Sequence, residues 1–164
     1  MKLSAATKMI LRKSPLLPLL YTNMVINTTL EHIIPVSYMR HHIHARDFHN
    51  IYATTDKINQ LRCNYVYGVL PKSCYKYEDN IICKKNKIFY PRKKDRGIIA
   101  RSILYMRDKY NYTNFGDIEL YEEWNREYKP TKKEIIHNEI GYLIQGNFNK
   151  YISNYTSYKN DTIN

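Results

Sequence analysis

Long apolar runs are missing from this chain of 164 residues, and with a mean hydropathy of −0.60 no membrane-spanning helix is expected. Cysteine is scarce: Cys63, Cys74 and Cys83 form an odd and sparse set, which argues for a reducing compartment. A Cys74–Cys83 bridge is geometrically conceivable, but nothing in the sequence requires it. No Cys/His spacing reads as a structural zinc site. Acidic residues are few, 15 against 26 Lys and Arg, and the net charge of +11 asks for a polyanionic partner. Nucleic acid stands first and an anionic membrane surface second. One Trp accompanies 17 Tyr, amphipathic rings that suit a core or a half-wet surface. Internal repeats, linkers and a second domain are all absent.

The densest chemistry lies in Thr29-Leu30-Glu31-His32-Ile33-Ile34-Pro35. The β-branched pair favours extended backbone, and proline belongs at a strand edge or end. Adjacent side chains on a strand point to opposite faces, so Glu31 and His32 converge only where the strand twists or ends. Glu31 offers hard oxygen donors and His32 an imidazole that titrates near neutrality, a pairing suited to metal-assisted hydrolysis. An isolated Glu-His pair is common, however, and carries little weight alone.

Residues 1–13 place Leu3, Ala6, Met9 and Ile10 at helical intervals, while Lys8, Arg12 and Lys13 interrupt what a secretory signal would keep apolar. A short amphipathic helix is expected there, with a membrane or targeting role as the alternative. Residues 21–26 read as a strand, Asn27-Thr28 as a turn and residues 29–34 as the second strand of a hairpin. His41, His42 and His44 sit in a polar stretch without a ligand pattern and read as surface or DNA-facing imidazoles. Asp47-Phe48-His49-Asn50 is expected to be a connector whose polar side chains bond backbone, with His49 a structural hydrogen-bonder. Thr54 or Thr55 can cap a short helix, with Asp56 in its first turn and Asn59 projecting from it.

A further strand is expected over 64–70, ended by Gly68 and Pro71, then an irregular stretch over 72–86 holding one strand at Ile81-Ile82-Cys83. Lys84, Lys85, Lys87, Arg92, Lys93, Lys94 and Arg96 form the strongest basic stretch, either a solvated loop or a phosphate-contacting one. Residues 97–110 give the clearest helix, with Ile99, Ile103, Met106 and Tyr110 on one stripe and Arg101 facing DNA or solvent. Asp117 caps a helix to Tyr128. Thr131 and Glu134 make a capping-box signature for the last long helix, whose buried face is expected from Ile136, Ile140, Leu143 and Ile144 and whose C-cap is Gly146.

Asp47-Phe48-His49-Asn50, Asn59 with Arg62 and Asn64, Arg96-Gly97-Ile98-Ile99-Ala100-Arg101, and Gln145-Gly146-Asn147-Phe148-Asn149 follow the Glu-His segment in one order. With Phe89-Tyr90-Pro91, Tyr105-Met106 and Trp124 between them, the chain resembles the endonuclease I family of the His-Me finger (ββα-metal) nucleases. The resemblance runs from about residue 21 to 152. It implies an α+β single domain with a ββα-metal centre surrounded by helices. Residues 1–20 then form a short extension, trimmed relative to the family, and 153–164 a polar tail.

By the same resemblance, Glu31 and Asn59 hold one Mg²⁺, for which Mn²⁺ or Ca²⁺ can substitute, and His32 is the general base. The family's phosphate-clamping arginine cannot be aligned. Arg62, Arg40 and Arg46 are its candidates, with Lys93, Lys94 and Arg101 as further phosphate contacts. The implied activity is a largely sequence-non-specific endonuclease acting on DNA, with RNA as the other substrate, and leaving 5′-phosphate ends. The alternative is a catalytically inactive, basic nucleic-acid-binding protein on the same fold. A monomer without stable membrane association is expected. It is placed inside the cell because disulfides are sparse and no clear signal peptide is seen, with a viral or host-cell cytoplasm as one setting.

Overall fold

Two strands from separate parts of the chain form the centre of the computed structural model, which describes residues 3–70 and 74–155. β1 (Thr28–His32) pairs antiparallel with β2 (Ile51–Thr55), Glu31 opposite Tyr52 and His32 opposite Ile51. The helix α2 (Asp56–Arg62) follows β2 directly. Residues 21–26 are not a strand, and the expected hairpin partner is therefore replaced by β2. The reason lies in the intervening polar connector. Asn50 accepts from the Ile34 amide at 2.8 Å and donates to the Ile34 carbonyl at 3.0 Å, closing a long loop that brings residue 51 beside residue 32. Asp47, in the same connector, accepts from the His49 amide and caps the short 3-10 turn Phe48–Asn50.

A helix α1 (Ala5–Lys13), capped by Ser4, precedes this unit and packs on both strands. Its Leu11 joins Leu17, Phe48 and Ile51 in a small apolar cluster, so the segment is part of the body. Leu20 and the backbone of Tyr21 continue into the main core, where Tyr21 adopts a positive φ and donates its amide to Asp95.

A second sheet has the order β3 (Val66–Tyr67), β6 (Ile88–Tyr90), β5 (Asn80–Cys83), β4 (Tyr75–Tyr77). The stretch expected to be mostly irregular therefore carries two strands, tied by a Cys74–Cys83 disulfide. The strand expected over 64–70 shortens to two residues, and its end at Pro71 lies outside the described residues.

α3 (Lys93–Tyr110) is the central helix, buried continuously from Asp95 to Met106 instead of along one stripe. α4 (Ile118–Glu127) packs on it, and α5 (Lys132–Gln145) and the short α6 (Lys150–Ser153) cover another side. The capping box of Thr131 and Glu134 forms, and Gly146 ends α5 at φ 82°, a conformation costly for residues with a Cβ.

The buried face of α5 is only in part the apolar one expected: Ile136 and Ile140 pack, half-buried, against the small apolar cluster. Leu143 is 81% exposed, and Ile144 is also exposed, whereas Glu134, His137, Asn138 and Gly141 are buried. Polar side chains can face inward here because each finds a partner. Glu134 pairs with Arg101, His137 donates to the Ile51 carbonyl, and Asn138 bonds Asn149. Gly141 allows the helix to approach closely, since a Cβ there would lie 2.5 Å from the His49 ring. The tail expected from residue 153 begins inside the fold: Tyr155 is buried and donates to the Arg126 carbonyl, while residues 156–164 lie outside the described part. The architecture is mixed α+β in a single small domain.

Candidate active site

His32 is the last residue of β1 and half-buried. Its Nε2 lies 2.9 Å from the Ala45 carbonyl. A carbonyl only accepts, so Nε2 carries the proton and Nδ1 keeps the lone pair. Burial pushes the imidazole pKa below its usual value; the Ala45 bond opposes that and the Arg62 charge adds to it. The ring is therefore neutral near pH 7, with one basic nitrogen. It opens on a cavity of about 420 Å³ whose lining includes Lys8, Arg12, Thr29, Ala45 and Arg46.

Glu31 points the other way, as strand alternation requires. It is 2% exposed, and its Oε1 faces the Tyr21 hydroxyl at 2.9 Å, the Tyr67 hydroxyl at 3.4 Å and Arg62 Nη1 at 2.9 Å. Burial raises the carboxyl pKa, against the pull of Arg62 and the two tyrosines. Each of those contacts falls on Oε1. Asn59, on α2, donates its amide nitrogen to the Leu30 carbonyl at 3.1 Å, so its side chain lies against the backbone just before Glu31 and keeps Oδ1 as an acceptor. A carboxylate oxygen and an amide oxygen suit a hard divalent cation that retains water ligands. Among the described residues no group of three or more His, Cys, Asp or Glu side chains could hold a metal ion.

The predicted phosphate contacts separate into two sets. Arg62 is buried, donating to the carbonyls of His32 and Ile33 and facing Glu31, and its role is to lock the end of β1 against α2. Arg101, expected to face DNA or solvent, is 1% exposed and makes a two-pronged contact with Glu134, at 2.6 and 2.8 Å. A guanidinium so enclosed presents no face to a polyanion. Arg40 donates to the carbonyls of Tyr110 and Asn111 at the end of α3. Arg46, Lys93 and Lys94 remain outward; Arg46 lines the His32 cavity, and Lys94 reaches Asn23. In the basic stretch, Arg92 is buried against Asp95, and Arg96 stacks on Tyr90 while donating to the Pro91 carbonyl.

The three histidines of the polar stretch do not converge on a metal. His41 and His42 are exposed, and His44 stacks on Tyr110 with its Nδ1 on the Tyr112 hydroxyl. His49 is fully buried, its Nε2 on the Asn147 carbonyl, as a structural bonder should be. Sequence reasoning missed Tyr21 and Tyr67, which orient Glu31. Tyr67 sits in an apolar alternating run, and nothing local marks its hydroxyl as a site group.

A family model described as Endonuclease I matches residues 21–156. The chain belongs to the endonuclease I family. Among its relatives, an Endonuclease-1 of Buchnera aphidicola subsp. Acyrthosiphon pisum is 34% identical over 109 residues, covering 65% of this chain and 44% of that protein. The Endonuclease-1 of Buchnera aphidicola subsp. Baizongia pistaciae is 32% identical over 111 residues, 65% of this chain and 45% of that protein. A periplasmic deoxyribonuclease of Aeromonas hydrophila is 29% identical over 110 residues, covering 65% and 46%. The chain thus spans less than half the length of these endonuclease I relatives.

The expectation of an intracellular, reducing setting is overturned. Relatives that match this chain are named periplasmic and extracellular deoxyribonucleases, and Cys74 and Cys83, whose bridge was conceivable but unsupported by the sequence, are bridged. Three cysteines misled because one short pairing suffices to tie a two-stranded unit; Cys63 is the free one and is exposed.

Proposed function

We propose that the protein is a nuclease hydrolysing phosphodiester bonds of DNA, with little sequence preference, and that it works in an oxidising, extracytoplasmic setting. Membership of the endonuclease I family, the deoxyribonuclease relatives and the net charge of +11 support the substrate class. The bridged cysteines support the setting. The observation that carries the chemistry is the state of His32, whose Nε2 is tied to the Ala45 carbonyl while Nδ1 stays unprotonated beside a basic cavity.

In this reading the phosphate lies in the cavity against Arg46, and a water is held near His32 Nδ1. The water oxygen forms the new bond to phosphorus while Nδ1 takes its proton. The bond from phosphorus to the 3′-oxygen breaks, leaving a 5′-phosphate, and the departing oxygen takes a proton from solvent. The Ala45 carbonyl stabilises the imidazolium formed. By the family resemblance Glu31 and Asn59 would hold a Mg²⁺ that supplies positive charge for the phosphate and the leaving oxygen, although Glu31 is turned away from His32 and neither residue lines the His32 cavity. Arg62 and the tyrosines Tyr21 and Tyr67 aim the Glu31 carboxyl and favour its ionised form against the opposing effect of burial. Arg62 and Arg101 are assigned to the interior scaffold instead of the phosphate.

Plasmid nicking tests the reading. Supercoiled DNA should be nicked and then linearised with Mg²⁺ and left intact with EDTA, and His32→Ala should slow the appearance of both products by about 10²–10⁴. DNA binding without nicking under any divalent cation would make the protein a non-catalytic binder.

A further inference from the structure

The cations of this protein are sorted by their partners. Arg62, Arg92 and Arg101 are buried and each faces a carboxylate. Lys8, Arg12, Lys13, Arg46, Lys132 and Lys133 have no carboxylate within salt-bridge distance among the described residues, and they line two cavities. One is the cavity of His32, with Lys8, Arg12 and Arg46 in its wall. The other, of about 560 Å³, is lined in part by Arg12, Lys13, Lys94, Lys132 and Lys133.

Arg12 belongs to both. Its Nε donates to the Thr28 carbonyl at 2.9 Å, which fixes the side chain at the edge of β1 between the two openings. Arg12 and Lys13 sit in the last turn of α1 and Lys8 one turn earlier, all three exposed, while Leu11 is buried and anchors the helix. Lys132 and Lys133 open α5, where the helix dipole disfavours cations; helix stability does not explain them. Apart from Arg46 none of these residues was a phosphate candidate: Lys8, Arg12 and Lys13 precede the matched residues 21–156, and Lys132 and Lys133 lie within them but outside the motifs.

We propose that α1 and the start of α5 form a basic track that holds the DNA backbone beyond the scissile phosphate, with Arg12 as the link to the His32 cavity. The proposal rests on the nuclease reading for its choice of polyanion. With nine residues, α1 is about 14 Å long. That is the axial span of about four phosphates of one strand. The track thus has the dimensions of a backbone site and supplies sequence-independent affinity.

The test is equilibrium binding of a fluorescein-labelled 20-base-pair duplex, followed by anisotropy across a salt series in EDTA, so that cleavage plays no part. Each phosphate neutralised adds about 0.9 to the slope of log affinity against log salt. Lys8→Ala/Arg12→Gln/Lys13→Ala should lower the slope by about two to three. Lys132→Ala/Lys133→Ala, whose residues are exposed and make no salt bridge among the described residues, should lower it by about two. Lys76→Ala on β4 removes an equal single charge away from the track and should leave it unchanged. Slopes equal to wild type in both track variants overturn the proposal, and so does a loss per charge no larger than that of Lys76→Ala. A wild type that fails to nick plasmid overturns the nuclease reading instead, while the binding slopes still decide the track.

Discussion

Arg62 Nη1 stands 2.9 Å from Glu31 Oε1 with both side chains almost wholly inside the protein, and the same guanidinium holds the carbonyls of His32 and Ile33. One cation therefore fixes both the carboxylate and the backbone that carries the imidazole. Removing one partner of such a pair leaves the other charge buried and uncompensated, a loss of about 3–5 kcal/mol. Arg62→Ala should fall in that range in urea unfolding, and adding Glu31→Gln should restore part of it. A variant that keeps wild-type stability but binds DNA poorly would return Arg62 to the phosphate.

What could be read in advance follows how local the signal was. The Asp117 cap, the Thr131–Glu134 capping box and the Gly146 stop depend on residues two to four apart, and each is where it was expected. The Asp47 and Asn50 connector was also legible, because short polar side chains bond nearby backbone. The pairing of β1 was not, since its partner lies beyond a loop whose closure rests on Asn50 reaching Ile34. On α5, apolar residues drew attention away from Glu134, His137, Asn138 and Gly141, a polar set at helical spacing whose burial needs partners on other elements. Arg101 failed for the same reason: its mate is 33 residues away. Within the site, the motif residues were found as types, but which face of β1 each occupies became clear only in three dimensions.

The Cys74–Cys83 bridge closes a short loop with a sequence separation of 9. Chain-entropy arguments give such a loop about 2.5 kcal/mol of stabilisation. Cys74→Ser/Cys83→Ser should lower the unfolding free energy by about that much, and dithiothreitol should do the same to the wild type. An unchanged urea midpoint in reductant would mean that the bridge adds nothing to the fold.

His137 is buried, stacks on Tyr52 at 4.1 Å and donates to the Ile51 carbonyl; burial pushes its pKa down to about 3. The unfolded chain takes up this proton at about 6.5, so between those values it binds more protons than the native state. The stability due to the neutral ring is full above about pH 6.5 and is lost as pH falls towards 3, by up to about 1.4 kcal/mol per unit. His137→Gln, which keeps a donor for Ile51, should flatten this acid limb in unfolding measured from pH 7 to 4. An acid limb as steep as the wild type's would assign it to other groups.

Of the three arginines considered as the clamp, Arg46 is the one that lines the His32 cavity, without an acidic partner among the described residues. A charge-assisted bond to phosphate contributes about 1.5–3 kcal/mol. Arg46→Ala should then reduce kcat/KM about ten- to a hundredfold at fixed ionic strength, with the melting temperature little changed. Steady-state cleavage of a fluorogenic duplex reads this out, and a rate within twofold of wild type would exclude Arg46 as the clamp.

The central claim is that His32 moves the proton while Glu31 and Asn59 serve the cation. Mg²⁺ titrations of cleavage rate for His32→Ala and Glu31→Ala test it together. General-base loss should lower the His32→Ala rate by about 10²–10⁴ at every Mg²⁺ concentration, with DNA affinity in EDTA unchanged. Glu31→Ala should regain part of its rate as Mg²⁺ rises. Recovery of His32→Ala at high Mg²⁺, with none for Glu31→Ala, would contradict the account.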